Sequence, residues 1–255
     1  MRPIRVAARI QAVGLVIALP VAVAVGADRV THADIAWSLA SGLTVGVGLA
    51  FFYTALVLGQ ISVVAPVTAL VGTVLPVAVG LARNEQPGVL ALIGIGAAVV
   101  AVGIVSVAPS SGAVTSAAAQ RALVLSVLAG ISFGFFLICL AQVGTAAGLW
   151  AAPLSRVAST VVLVLILLRS DRKERVPWRE LGGLVVVIGA LEVAAVVCLV
   201  LAFRHGTLAI PSVLASLYPV TTVLLAAFVL HERLSRLQLT AVLLALGAVV
   251  LISTG

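Results

Sequence analysis

Residues 35–82 contain no Asp, Glu, Lys or Arg. A soluble domain is about a quarter charged, and a run this long without charge leaves no water-facing side. Over the whole chain the charged share is 9% and the mean hydropathy +1.32. A bilayer needs roughly 20 apolar residues per helical span, so 35–82 reads as two spans. Residues 86–120, 122–155 and 237–255 are also free of those four types. The segment from Met1, with a basic front and an apolar middle, looks like a signal peptide. Eight further apolar segments follow it, so a membrane protein remains either way.

The formal charge of +7 does not imply nucleic acid, because the basic residues fall in short loops, where they set topology. Cys139 and Cys198 lie inside apolar runs without CxxC or metal-ligand spacing. Both are expected to be small buried hydrophobes, and no metal or cofactor is expected.

Cutting at polar clusters and turn formers predicts an all-α polytopic fold of nine transmembrane helices. They fall at about 8–26, 35–58, 60–82, 89–108, 122–143, 147–168, 181–203, 207–230 and 236–254. A barrel strand would be about 10 residues long with alternating polarity, and these runs are twice that. Gly59-Gln60 and Arg204-His205-Gly206 mark tight hairpins. Pro20, Pro66, Pro76, Pro153, Pro211 and Pro219 are expected to kink helices. Gly42/Gly46 and Gly130/Gly134, at four-residue spacing, permit close helix contact.

Arg9 and Arg156, Gly59 and Gly206, and Glu85 and Glu232 each stand 147 residues apart in similar surroundings. Three matches at one offset argue for duplication. The offset covers five helices, an odd number, so the second copy is expected upside down: a first repeat at 1–110, a linker at 111–120, a second repeat at 121–255. Inverted repeats are a common transporter device, with the substrate site near mid-membrane. The helix at 122–143 has no counterpart after Met1, so the copies read as four helices plus five. Either a first helix lies upstream, or the protein works with nine spans.

Both halves resemble EamA domains of the drug/metabolite transporter superfamily. The strongest stretch is "LVLAFRHGTLAIPSVLASLYPVTTVLLAAFVLHERLSRLQLTAVLLALGAVVLIS" at 199–253, which supplies Gly206, Pro219, Glu232-Arg233 and Gly247. The first half, "FYTALVLGQISVVAPVTALVGTVLPVAVGLARNEQP", keeps Tyr53, Gly59 and Glu85. It has Gly72 in place of Pro219 and Gln86 in place of Arg233. Arg9 and Arg156 match the arginine that opens the second helix of each copy. The resemblance implies ten spans, five plus five. It also implies export or exchange of small metabolites, amino acids and drugs without ATP. The chain shows no GxxxxGK[ST] phosphate loop.

Alternating loops place Arg2, Arg5, Arg9, Arg121, Arg169, Arg172, Lys173, Arg175, Arg179, Arg233 and Arg236 on the side of the N-terminus. Only Arg29, Arg83 and Arg204 fall on the other. By charge the N-terminus is cytoplasmic. The resemblance instead puts Gly255 inside and Met1 outside.

Glu192, in "IGALEVAAVV", is the acid that most needs a reason, since an ionisable group at mid-bilayer costs about 2.5–3.5 kcal/mol on insertion scales. One reading puts it on a cavity between the repeats, binding a cationic or amino group or carrying a proton. The others are an ion pair with Arg156 and a wet wall without a role. Arg156 is a second candidate, for an anionic cargo, or else pairs with backbone carbonyls or snorkels to the surface. Tyr53, Thr68, Phe136, Gln142, Ser212, Ser216 and Tyr218 are pocket-lining candidates, each also explained by helix packing or an interhelical hydrogen bond. Trp37 and Trp150 read as interface anchors. His205 and His231 read as solvated loop residues, and Glu85 and Glu232 as helix-end caps or loop-pairing acids.

The function expected is a secondary transporter of a small organic solute, working by alternating access. The alternatives are a non-transporting membrane scaffold and an integral-membrane enzyme. The expected partners are a small-molecule solute and the lipid bilayer, in a monomer or homodimer at the plasma membrane of a bacterium.

Overall fold

The computed structural model describes residues 2–59, 61–106, 116–169, 178–205, 207–215, 217–218 and 236–254. Gly206, Ser216, Pro219, His231, Glu232 and Arg233, named above, lie outside them. The described elements are helical. They are α1 (Arg2–Val25), α2 (His32–Leu58), α3 (Ile61–Ala82), α4 (Val89–Ser106), α5 (Ser116–Leu140), a 3₁₀ turn (Thr145–Ala147), α6 (Ala151–Leu168), α7 (Trp178–Phe203), α8 (Ala209–Ala215) and α9 (Arg236–Thr254). Six helices among the described residues are long and apolar enough to cross a membrane. Large aliphatic side chains such as Val16, Val57, Leu168 and Leu191 point outward. A helix apolar on its outer face as well as its inner one suits lipid.

Several expectations are corrected. α1 starts at Arg2 rather than near residue 8, and α5 at Ser116 rather than 122, because their basic and small polar first turns continue the helix outward. α6 starts at Ala151 rather than 147, since the 3₁₀ turn intervenes and Gly148 takes a φ of 57°. A Cβ at Gly148 would meet the Gly26 carbonyl oxygen at 2.3 Å, so only glycine fits there. Pro153 and Pro211 sit at the third residue of α6 and α8. A first-turn N–H has no intrahelical acceptor to lose, so these prolines start helices and do not kink them. Cys139 is buried as expected, but Cys198 is exposed on the outer face of α7.

The chain forms two compact units, Met1–Thr54 with Phe135–Gly206, and Ala55–Gly134 with Thr207–Gly255. Each draws on both halves of the sequence. In the first unit α1 packs on α6 and α7. Small residues set the spacing: Ala18 and Ala152 meet Val193, and Ala7, Ala8 and Ala50 surround Leu163. α2 lies on α6 through Gly42, where a Cβ would fall 2.0 Å from the Ser155 carbonyl oxygen, and through Gly46 against Ser159. In lipid, water does not drive helices together, and close backbone approach with its dispersion contacts does.

The start of α2 is tied down by Asp34. Its Oδ2 accepts from Thr31 N (2.9 Å) and Thr31 Oγ1 (2.6 Å), while Asp34 N donates to Thr31 Oγ1 (3.2 Å), a reciprocal helix cap. The other oxygen, Oδ1, accepts from Gly144 N at 2.8 Å. Arg29 N donates to Ala146 O at 3.1 Å. One buried acid thus joins the turn before α2 to the turn before α6.

In the second unit α9 runs along α4, and α3 packs on α4 and α8. Its core is Ala69, Ile95, Ala98, Ala101, Val213, Leu217, Val242 and Ala248. α5 meets α3 where Gly130 and Gly134 face Thr68, Val71 and Leu75. Thr68 Oγ1 donates to Ser126 O at 3.2 Å. Glu85 caps α8: Oε1 accepts from Leu208 N at 2.7 Å and Oε2 from Ala209 N at 3.0 Å. This is the capping role expected of it.

Candidate functional site

On α7 the buried residues Val185, Gly189, Val193 and Val200 make one stripe. Glu192 lies on its edge, one turn from Gly189, so the helix period carries the carboxylate inward toward α1 and α6. Arg156 sits on α6 between buried Ser155 and Ser159. Gln11 is on the buried face of α1. The three side chains meet. Arg156 Nη1 donates to Gln11 Oε1 at 2.7 Å and to Glu192 Oε2 at 3.1 Å. Gln11 Nε2 donates to Glu192 Oε2 at 3.5 Å, and Ser159 Oγ donates to Gln11 Oε1 at 3.3 Å.

Space for the guanidinium comes from Gly14, one turn beyond Gln11. A Cβ there would lie 2.5 Å from Arg156 Nη1 and 2.8 Å from its central carbon. The close approach of α7 needs Gly189, whose Cβ would press on Val13 and the Ile10 carbonyl. The pair is unequal. The Arg156 side chain is 4% exposed and that of Glu192 36%. An arginine this dry must be paired, because an isolated buried charge is very costly. Arg156 therefore neither snorkels nor pairs with carbonyls through its guanidinium, as the sequence had suggested. It is held by side chains, and its Nε has no hydrogen-bond partner.

Of the other expected residues, Tyr53 is half-buried on α2 within electrostatic reach of Glu192. Phe136 is half-buried on α5. Gln142 Nε2 donates to Ile138 O at 3.1 Å, closing its own helix end. Thr68, Ser212 and Tyr218 belong to the second unit. Thr68 bonds across helices, and Ser212 Oγ donates to Leu208 O at 2.6 Å within its own turn. Tyr218 donates from its hydroxyl to Ala65 O at 3.0 Å. The structure thus brings Glu192 and Arg156 together, packs Tyr53 against the Ala7, Ala8, Ala50 and Leu163 cluster, and gives Thr68, Gln142, Ser212 and Tyr218 hydrogen bonds of their own. Gln11 was not among the expected residues because it carries no formal charge. Its signal was an amide inside an apolar helix with glycine one turn on.

The profile of the EamA-like transporter family matches residues 120–254. That is more than half of the chain. The chain belongs to the EamA-like transporter family. It is accordingly a multi-pass membrane protein of the drug/metabolite transporter type, in a family of transporters rather than enzymes. Seven solved chains match in fold. One, described only as "Crystal structure of protein", aligns with 100% of this EamA-like chain and 88% of its own, with a TM-score of 0.77 and 16% identity. No curated protein matches the sequence.

Proposed function

We propose that the protein is a secondary transporter that exports or exchanges a small organic metabolite, an amino acid or drug-like solute, by alternating access between two inverted copies of one helical unit. The observation that carries this reading is the ion pair of Arg156 and Glu192, set inside two spans with the guanidinium buried among α1, α6 and α7. Ionisable groups in spans are costly and mark substrate or proton paths. Of the two, Glu192 is the accessible one, so it takes the cationic or amino group of the cargo. A proton is the alternative partner for the same carboxylate, which couples transport to pH.

The test is uptake and efflux by proteoliposomes against a panel of labelled amines, amino acids and lipophilic cations, across pH 5.5–8.5. Wild type moves at least one solute with a pH-dependent rate, and Glu192→Gln both slows it and flattens the profile. Retention of the wild-type pH dependence by Glu192→Gln removes the coupling role. Failure to move any solute turns the reading toward a scaffold.

A further inference from the structure

The cluster contains a residue whose part is not explained by charge. Gln11 is 6% exposed, lies 145 residues from Arg156 and 181 from Glu192, and contacts both. Only one orientation of its amide fits. The carbonyl end faces two donors, Arg156 Nη1 and Ser159 Oγ, and the NH₂ end faces the carboxylate.

The distances rank the contacts. The guanidinium is closest to Gln11, at 2.7 Å, against 3.1 Å for Glu192. Gly14 closes the remaining space around it. Glu192 is held more loosely. Both its contacts reach one oxygen, Oε2, the longer at 3.5 Å, which is at the limit of a hydrogen bond. The arginine is clamped, and the acid leans on it.

We propose that Gln11 is the positioning residue of this site: it fixes Arg156 through its carbonyl, and so makes Glu192 the member of the pair that lets go. When Glu192 turns to a cation or takes a proton, Arg156 keeps Gln11 and is not stranded. Without that neutral acceptor, release of the acid would leave a buried guanidinium with no oxygen on Nη1. This deepens the transport reading above and rests on it for its purpose, but its test needs no transport.

Lipid-soluble dicyclohexylcarbodiimide reacts with protonated carboxyl groups. Its adduct at Glu192 is followed by peptide mass spectrometry on the full-length protein in detergent at pH 7, with Glu192→Gln as the blank. In Gln11→Met the guanidinium loses its anchor and moves onto the carboxylate, and labelling slows by about threefold or more. In Gln11→Glu a second carboxylate takes Arg156, and labelling of Glu192 speeds up by about threefold or more. Gln11→Glu keeps an acceptor for Arg156, so it preserves the fold where Gln11→Met fails to, and size-exclusion elution reports on both. Wild-type rates in Gln11→Glu overturn the proposal. So does a rise in both variants, which a merely loosened structure would give. Opposed shifts in a protein that moves no solute would uphold the role of Gln11 and remove the transport reading. A pH-coupled carrier with unmoved labelling would do the reverse.

Discussion

The unit built on α1, α6 and α7 buries an arginine and an amide against a half-buried acid. The unit built on α3, α4, α8 and α9 buries alanines, glycines and neutral hydroxyls, and among the described residues its acid Glu85 goes to main-chain amides at a helix start. The 147-residue offset does not run along this division, because residues that far apart, such as Arg9 and Arg156, fall in the same unit. Arg156 has its counterpart in Arg9 and Glu85 in Glu232, but Val45 occupies the position matching Glu192, and Ala158 the one matching Gln11. The cluster draws Gln11 from the first half of the sequence and Arg156 and Glu192 from the second.

The contrast can be broken at its frame first. Gly42→Ala puts a carbon 2.0 Å from the Ser155 carbonyl oxygen, and backbone cannot swing aside. We expect a loss of about 3 kcal/mol, the upper end for overpacking, read as a lower thermal midpoint in detergent. In the second unit Gly72→Ala meets nothing closer than 3.4 Å and should shift the midpoint little. Equal effects would mean that both units are spaced alike.

Next in size is the charged pair. Arg156→Met leaves Glu192 without its counter-charge, costing about 2 kcal/mol once discounted for the exposed third of that side chain. Arg156→Met with Glu192→Gln should recover part of the loss. A double-mutant cycle showing no coupling would reduce the pair to coincidence.

The smallest effect belongs to the second unit. Thr68→Val removes one interhelical hydrogen bond, and the expected loss is about 0.6 kcal/mol, typical of such bonds in membranes. A loss as large as that of Arg156→Met would make the second unit as dependent on polar contacts as the first.

Much of this was legible in the sequence. Uncharged runs pointed to the six spans found among the described residues, because lipid makes length and apolarity nearly sufficient for a helix. The hairpin at Gly59, the glycine pairs and the Glu85 cap were readable from spacing. The ends were less so, since α1 begins at Arg2 and not near residue 8. Glu192 and Arg156 stood out by charge, but nothing linear says that Arg156 on α6 donates both to Glu192, 36 residues on, and to Gln11. That conjunction comes from helix rotation, which Gly14, Gly42 and Gly189 set by removing side chains. Hydroxyl residues such as Ser212 were ambiguous for the opposite reason: a serine in an apolar helix satisfies itself on the preceding turn.

The order of the cluster along the chain has a consequence for biogenesis. A ribosome delivers the N-terminal part first, so the amide on α1 is already in the bilayer when α6 emerges. The guanidinium therefore finds an acceptor waiting while its acid, 36 residues later, is still being made. In that order of synthesis the Gln11 amide precedes both charged partners it holds in the folded protein.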